Sequence, residues 1–234
     1  MPRTASPLQN KASIQAALFD LDGTLIDTLE AIRASMRHAT KTVLGKTLPD
    51  EVLMRHVGTP LAAQMKVFDA EQTDGLMSAY REHHLRVHDS LIKEYPGTAA
   101  ALEQLKGIGY RLGVVTSKGR TLAERGLLRC GLTRFVEVLV ALDDVSAYKP
   151  DPYPLRYAAE RLGVDVTRCA YIGDSPHDMC AATAAGCVSI AALWGVATPE
   201  RLLALSPQYA IRSVSEVAQV LRDHDALPAQ VQVI

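Results

Sequence analysis

Two aspartates, Asp20 and Asp22, close a short apolar run in ALFDLDGTL (residues 17–25), with Gly23 and Thr24 directly behind them. Polar residues of related kinds close three later apolar runs. Thr116, Ser117 and Lys118 lie in VVTSK (114–118), Asp143, Asp144 and then Lys149 in LDDVSAYKP (142–150), and Asp174 with Ser175 in YIGDS (171–175). Any one of these groups has an ordinary use as a turn or helix cap, because aspartate and serine favour helix starts. Their recurrence at the ends of several separate runs points instead to a shared centre.

The chemistry of such a centre follows from its charges. Asp20, Asp22 and Asp174 brought together would repel and raise one another's pKa unless a cation sat among them. Ligands offering only oxygen suit Mg²⁺, which is held by one or two carboxylates together with substrate phosphate oxygens. A phosphoryl group at that ion needs a fixed positive charge and a hydroxyl donor, and Lys149 and Thr116 are of the right types. One carboxylate can then act as nucleophile, forming an aspartyl phosphate, while the other protonates the leaving oxygen and later activates water. Alternate residues at a strand end point to the same side, so Asp20 and Asp22 can share one reaction centre.

The elements that must position these residues alternate in type. IQAALF (14–19) is a continuous apolar run of the kind expected for a strand covered on both faces, and it ends near Asp20. Residues 27–95 change period, with helical spacing in DTLEAIRASMRHATKTVL, PLAAQMKVFDA and TDGLMSAYREHHLRVHDSL and no convincing strand. Strands return in YRLGVVTS, FVEVLVAL, RCAYIGDS and CVSIAALW, with helices through RTLAERGLLRC, from about Pro152 to Leu162, through PHDMCAATAAG and through SVSEVAQVLRDH. Repeated βα units imply right-handed crossovers and a doubly wound parallel sheet. The expected architecture is α/β, with a catalytic core from 1–26 and 96–234 and an inserted all-helical cap over 27–95. In such sheets reactive groups gather beyond the carboxyl ends of the strands, where the polar residues fall here.

Composition narrows the partners. The 234 residues are 48% hydrophobic with a formal net charge of −1, so nothing suggests disorder and no basic excess points to nucleic acid. No stretch approaches the ~20 apolar residues of a membrane span, and MPRTASPLQNKAS lacks the apolar run of a signal peptide. The expectation is a soluble cytoplasmic protein with a small phosphorylated substrate and no membrane partner, with monomer and homodimer both open. Cys130, Cys169, Cys180 and Cys187 form no C-x-x-C pair and sit in apolar settings, which suits buried thiols in a reducing compartment. The terminal ALPAQVQVI reads as a loosely held tail.

The chain as a whole resembles the haloacid dehalogenase superfamily of phosphohydrolases. DLDGTL is similar to that family's first motif, VVTSK to its second, YKPDP to its third and GDSPHD to its fourth, in order and at the expected strand ends. The resemblance implies a Rossmann-like core with a cap of the first type, and Mg²⁺ as cofactor. It makes Asp20 the nucleophile and a metal ligand, Asp22 the general acid and base with its backbone carbonyl on the metal, and Thr116 a phosphoryl donor. Lys149 neutralises the nucleophile and phosphate, Asp174 completes the metal site, and Asp178, with Ser175, supports it. Ser117 and Lys118 are the expected substrate contacts of the second motif, with TSK standing where relatives commonly carry Thr-Asn-Lys and Ser117 shorter than that Asn.

Within the superfamily, MSAYREHHLRVHDSLIKEYPG (77–97) and LDDVSAYKPDPYP (142–154) look most like the cytosolic pyrophosphatase branch, next to the phosphoglycolate phosphatases. The expected substrate is pyrophosphate, with phosphoglycolate or another small phosphomonoester as the alternative. Arg81, His84 and Arg86 are the side chains expected to read the leaving group. Gly58 in HVGTPL can bring backbone N–H groups to substrate, or simply turn the chain between helices. His83, His84 and His88 form a cluster whose plainest use is a solvated or cap-interface helix face, and Trp194 reads as core. Asp143 and Asp144 either position the loop bearing Lys149 or cap a helix. A phospho-aspartate receiver domain is the reading from another class, disfavoured because it needs neither a cap nor an acid two residues after the nucleophile. A haloacid dehalogenase proper is disfavoured by Asp22, which it would not need.

Overall fold

The computed structural model describes residues 13–226. A six-stranded parallel sheet runs in the order β5 (Val138–Val140), β4 (Arg111–Val115), β1 (Ala16–Phe19), β6 (Cys169–Gly173), β7 (Val188–Ala192) and β8 (Tyr209–Ile211). β1 is flanked by β4 and β6, so the strand order reverses there and leaves a crevice beyond its carboxyl end.

Period-two alternation explains why these strands are apolar throughout. Ala17, Phe19, Ala170 and Ile172 join one buried cluster and Ala16, Leu18, Cys169 and Tyr171 the other. α5 (Thr98–Gly107), α6 (Arg120–Arg129) and α10 (Val217–Ala226) supply Leu102, Leu127 and Leu221 to the first. α7 (Tyr153–Arg161) and α8 (Pro176–Ala185) supply Leu155 and Ala181 to the second, and the short α9 (Pro199–Leu203) packs Leu202 beside Met179. The doubly wound α/β reading is therefore borne out.

Between β1 and α5 lie α1 (Leu29–Leu44), α2 (Asp50–Met54), α3 (Leu61–Phe68) and α4 (Thr73–Leu91). They enclose their own core around Met36, Leu53, Met65, Leu76 and Tyr80. The boundaries of this block hold a feature the sequence does not suggest. β2 (Ile26–Asp27) pairs antiparallel with β3 (Lys93–Glu94), so residues inside the span read as all-helical form a two-stranded ribbon. Two residues per strand are too few for periodicity to register.

Other departures are local. α5, α9 and β8 are additional to the elements expected; β8 has a buried residue only at Ile211, so it shows no continuous apolar run. Cys169 and Cys187 are buried thiols and Cys130 is half-buried, but Cys180 is exposed on the outer face of α8, correcting the expectation of four apolar settings. All four are free. The N-terminal dozen residues and almost all of ALPAQVQVI lie outside the described residues. Among the described residues, no helix is long and apolar enough to cross a membrane.

Candidate active site

Each strand end delivers its residues to the crevice. Asp20 follows β1 directly, its N–H bonded to Ile172 O at 2.9 Å, so the sheet ladder itself fixes its place. Gly23 then turns the chain at φ +85°; a Cβ there would sit 2.2 Å from Asp174 Oδ2, so only glycine lets the first loop reach Asp174. Thr24 Oγ1 donates to Asp174 Oδ1 at 3.0 Å, and Val196 N donates to Oδ2 at 2.7 Å. Asp20, Asp174 and Asp178 each present a carboxylate oxygen within 4.8 Å of the others, all buried.

Asp178 is held from every side. At the start of α8, Ser175 N and Oγ donate to its Oδ2 at 2.9 and 2.6 Å, and its own N–H donates back to Ser175 Oγ: a capping box turned inward. Its Oδ1 accepts from Lys149 Nζ at 2.7 Å and lies 3.1 Å from the Tyr171 hydroxyl. Lys149 Nζ also donates to Tyr171 Oη at 2.8 Å and lies 3.0 Å from Asp20 Oδ1. Tyr171 was missed by the sequence reading, since a tyrosine in an apolar strand gives no signal beyond core.

Charge is unequally shared. Burial pushes Asp20 up to about 7, with Lys149 opposing and Asp178 and Asp22 adding. Burial, then Asp178 and Asp20, hold Asp174 well above the usual carboxylate range. For Asp178 burial acts the same way, but the charge and hydrogen bond of Lys149 outweigh it and hold the group low. Lys149 stays cationic because Asp178 and Asp20 overcome its own burial. Three buried carboxyl groups thus face one buried ammonium, which reaches Asp20 Oδ1 at 3.0 Å and Asp178 Oδ1 at 2.7 Å. An all-oxygen donor set with two uncompensated charges fits a divalent cation.

Asp22 belongs to a second pair. Lys118 Nζ donates to Asp22 Oδ1 at 2.6 Å, and although burial opposes ionisation, that charge and bond hold Asp22 below its ordinary value. Its carboxylate stands apart from the acidic trio. Thr116 Oγ1 accepts from Lys118 N at 3.2 Å, while Ser117 Oγ is buried without a partner among the described residues.

Over these groups lies a cavity of about 210 Å³, its floor formed by Asp20, Asp22, Thr116, Ser117, Lys118 and Asp174. Ile32, Gly58, Leu61, Gln64, Tyr80 and His84 close it from the helical block. Gly58 adopts φ +104°, and a Cβ there would come within 3.1 Å of Ser175, so glycine also permits the close approach of this loop to the fourth motif. Gln64 and Tyr80 carried no sequence signal, because neither stands out from a helical pattern.

Of the two uses expected for the histidines, a solvated face or an interface, the structure shows the interface for His84 and His88. His84 and His88 are 1% and 0% exposed, so they are not a solvated face. His84 lines the cavity, its ring stacked on Tyr80 at 5.1 Å and edge-on to His88. Burial pushes it down to about 4, Lys118 adding and Asp22 opposing, so it is neutral at physiological pH. His88 Nδ1 lies 2.8 Å from Asp89 Oδ1, and Asp89 receives Arg125 of α6 in a two-pronged bridge at 2.9 and 2.8 Å, tying block to sheet. Arg86 pairs with Glu82 on the outer surface and does not line the cavity, whereas Arg81 does. Asp143 and Asp144 accept from the Arg120 backbone and side chain, which fits the capping role, and Trp194 Nε1 donates to Thr24 O within the core.

A sheet-edge cluster of buried acids under a helical lid defines a hydrolase site of one family. The haloacid dehalogenase-like hydrolase model matches residues 17–192, and the chain belongs to that family. The chain is 37% identical over 207 residues to pyrophosphatase PpaX of Bacillus velezensis, spanning 88% of this chain and 96% of that one. It is 34% identical to the protein of the same name from Bacillus pumilus, spanning 91% and 98%. Among solved structures, a hydrolase from Pseudomonas syringae superposes with TM-score 0.80 at 25% identity, covering 90% of this chain and 98% of the other. A Lactobacillus plantarum protein, itself assigned by inference as a phosphoglycolate phosphatase, superposes with TM-score 0.81 at 28% identity over 89% and 100%.

Proposed function

We propose that the chain is a Mg²⁺-dependent phosphohydrolase working through an aspartyl phosphate on Asp20, with residues 27–95 as a cap over a core of 1–26 and 96–234. The observation that carries this reading is the cluster of three buried carboxyl groups beside a single ammonium, Lys149, at the crevice of the sheet. Asp20, Asp174 and the Asp22 backbone carbonyl would hold the ion, with Asp178 and Ser175 bracing them. Bound there, Mg²⁺ would neutralise the acids and the incoming phosphoryl oxygens.

The steps on the chain's own residues then follow. Asp20 attacks phosphorus as the bond to the leaving oxygen breaks, while Thr116 and Lys149 hold the transferred oxygens and Ser117 lines their path. Asp22 must donate a proton to the leaving oxygen, yet it rests ionised against Lys118. An anionic substrate draws Lys118 to itself and releases Asp22 to take up a proton. After the leaving group departs, the Asp22 carboxylate removes a proton from the water that opens the aspartyl phosphate.

Pyrophosphate is the favoured substrate, supported by the PpaX relatives and by Arg81 and Lys118 beside the cavity. Phosphoglycolate is the alternative. The test measures kcat/KM for pyrophosphate, phosphoglycolate, sugar phosphates and nucleotides with Mg²⁺ and with excess chelator. A tenfold preference for phosphoglycolate, about 1.4 kcal/mol in the transition state, overturns the substrate choice. Full turnover in chelator overturns the metal-dependent mechanism.

A further inference from the structure

One loop touches three parts of the molecule at once. Residues 193–198 leave β7 and run along the carboxyl edge of the sheet to α9. Trp194 Nε1 donates to Thr24 O at 3.1 Å, in the turn that follows β1. Val196 N donates to Asp174 Oδ2 at 2.7 Å, and Ala197 N donates to Asp174 O at 3.3 Å. The fit is tight: a Cβ on Gly195 would stand 2.2 Å from both Cβ and Oδ2 of Asp174.

The side chain of Val196 belongs to another body. It packs against the core of the helical block, around Met36, Leu53, Val57, Met65 and Leu76, and it lines the cavity together with Val57 and Leu61. Every other hydrophobic member of that core lies between Ile32 and Tyr80, so Val196 is where the block takes in a residue of the sheet's own loops. A single residue thus holds the Asp174 carboxylate by its N–H and the block by its side chain. Thr24 Oγ1 fixes the other carboxylate oxygen at 3.0 Å, so Asp174 is not free to follow when its Val196 donor moves. A bond from N–H to carboxylate is directional and charge-assisted, and a small displacement of the donor weakens it.

We propose that Val196 is a positioning residue that ties the orientation of Asp174 to the seating of the helical block, so that a divalent cation at the acidic cluster binds most tightly when the block is seated. The inference rests on the phosphohydrolase reading and deepens it, adding a way for the block to regulate the metal end of the site. Coupling between two sites is reciprocal: a seated block that favours the cation is favoured by it to the same degree. Asp20, Asp174 and Asp178 all lie outside the block, so Mg²⁺ without phosphate reaches the block only through its contacts with the sheet. Two such contacts flank the site, Val196 and the approach of Gly58 to Ser175, and a variant of Val196 separates them.

The experiment follows amide hydrogen exchange with and without Mg²⁺ in the unaltered protein, in Val196→Ala, which keeps the N–H but withdraws the side chain from the block, and in Val196→Ile, which keeps both. In the unaltered protein Mg²⁺ should slow exchange in the turns after β1 and β6 and also in the block around Leu53 to Met65. In Val196→Ala the slowing should persist in the turns and vanish from the block. Mg²⁺ affinity, read from the rise of the unfolding midpoint with Mg²⁺ concentration, should fall by about tenfold, the lower end of what groups that hold a metal ligand are worth. Val196→Ile should restore both signals. Protection of the turns alone in the unaltered protein overturns the inference and leaves the phosphohydrolase reading standing. Protection of the block that survives in Val196→Ala overturns the assignment to Val196. Absence of any Mg²⁺ effect in the unaltered protein overturns the inference, and p-nitrophenyl phosphate hydrolysis that persists in excess chelator removes the metal-dependent reading with it. Circular dichroism identifies a misfolded Val196→Ala; Val196→Thr, of the same shape but with a hydroxyl set against an apolar core, then takes its place with the same expected loss.

Discussion

Behind the sheet wall of the cavity, Asp178 accepts from Ser175 twice and from Lys149, Lys149 also reaches Tyr171 and Asp20, and every one of these groups is buried. On the cap wall, Gln64 and His84 each keep one atom without a partner, set among Ile32, Leu61 and Tyr80. The first wall is charge-dense and braced before anything binds. The second is sparse in charge. On the proposed reading the contrast separates two tasks: the chemistry common to any phosphoryl group is built into the sheet, and the identity of the leaving group is left to the helical block.

The contrast is tested most severely at Asp20. Asp20→Asn should reduce turnover by more than about 10³-fold, since removal of a nucleophile commonly costs that much or more, and retained activity would break the assignment. The same variant sharpens the electrostatics. Asp20 is raised in the folded state from 3.8 to about 7, so its contribution favours folding below pH 4 and is lost as pH climbs through 7. Metal-free protein should therefore lose stability between those limits, and Asp20→Asn should flatten that part of the profile measured by denaturant unfolding.

Lys149→Met comes next. With one partner of a buried pair removed, stability at neutral pH should fall by about 3–5 kcal/mol, and the deficit should shrink as acid protonates the carboxylates. An unfolding midpoint within a degree of the unaltered protein would show that the sheet wall is not braced through this lysine. Asp22→Asn should cost about 10²–10⁴-fold on an alkyl phosphate and less on p-nitrophenyl phosphate, whose leaving oxygen scarcely needs a proton. Equal losses on the two would remove the acid role.

The smallest effect belongs to the bridge between walls. Asp89 is held at about 2, first by its hydrogen bonds from Arg125 and His88, but its side chain is 44% exposed. Water screens such a pair, so Asp89→Ala should change global stability by less than about 1 kcal/mol. A loss several times larger, measured by the same denaturant series, would mean that block and sheet unfold as one body through that contact.

The sheet wall was legible in the sequence and the cap wall was not, for a physical reason. Asp20, Thr116, Lys149 and Asp174 follow apolar strands, and a parallel sheet forces whatever follows its strands toward one edge, so order along the chain maps onto position in space. Asp178 is legible only through the resemblance of GDSPHD to the family's fourth motif. Nothing comparable governs the cap. Gln64 and His84 come from different helices, and which of their faces meet depends on how α1, α3 and α4 pack, which helical periodicity leaves open. Hence periodicity leaves His84 and His88 open between a solvated face and an interface, of which the structure shows the interface, and it does not reveal that Arg86 pairs with Glu82 outside the cavity. Tyr171 escaped for the opposite reason: its ring belongs to the core and only its hydroxyl reaches the charges.

The ribbon of Ile26–Asp27 with Lys93–Glu94 bears on the cost of closing the chain between them. Both crossings between helical block and sheet are clamped at one seam, so the sheet experiences the intervening segment as a closed loop whose internal length hardly matters. The entropy of closing a loop grows only with the logarithm of its length, about 0.6 kcal/mol for each doubling. A change in the length of the segment between Asp27 and Lys93 therefore adds little closure entropy to the cost of folding the sheet.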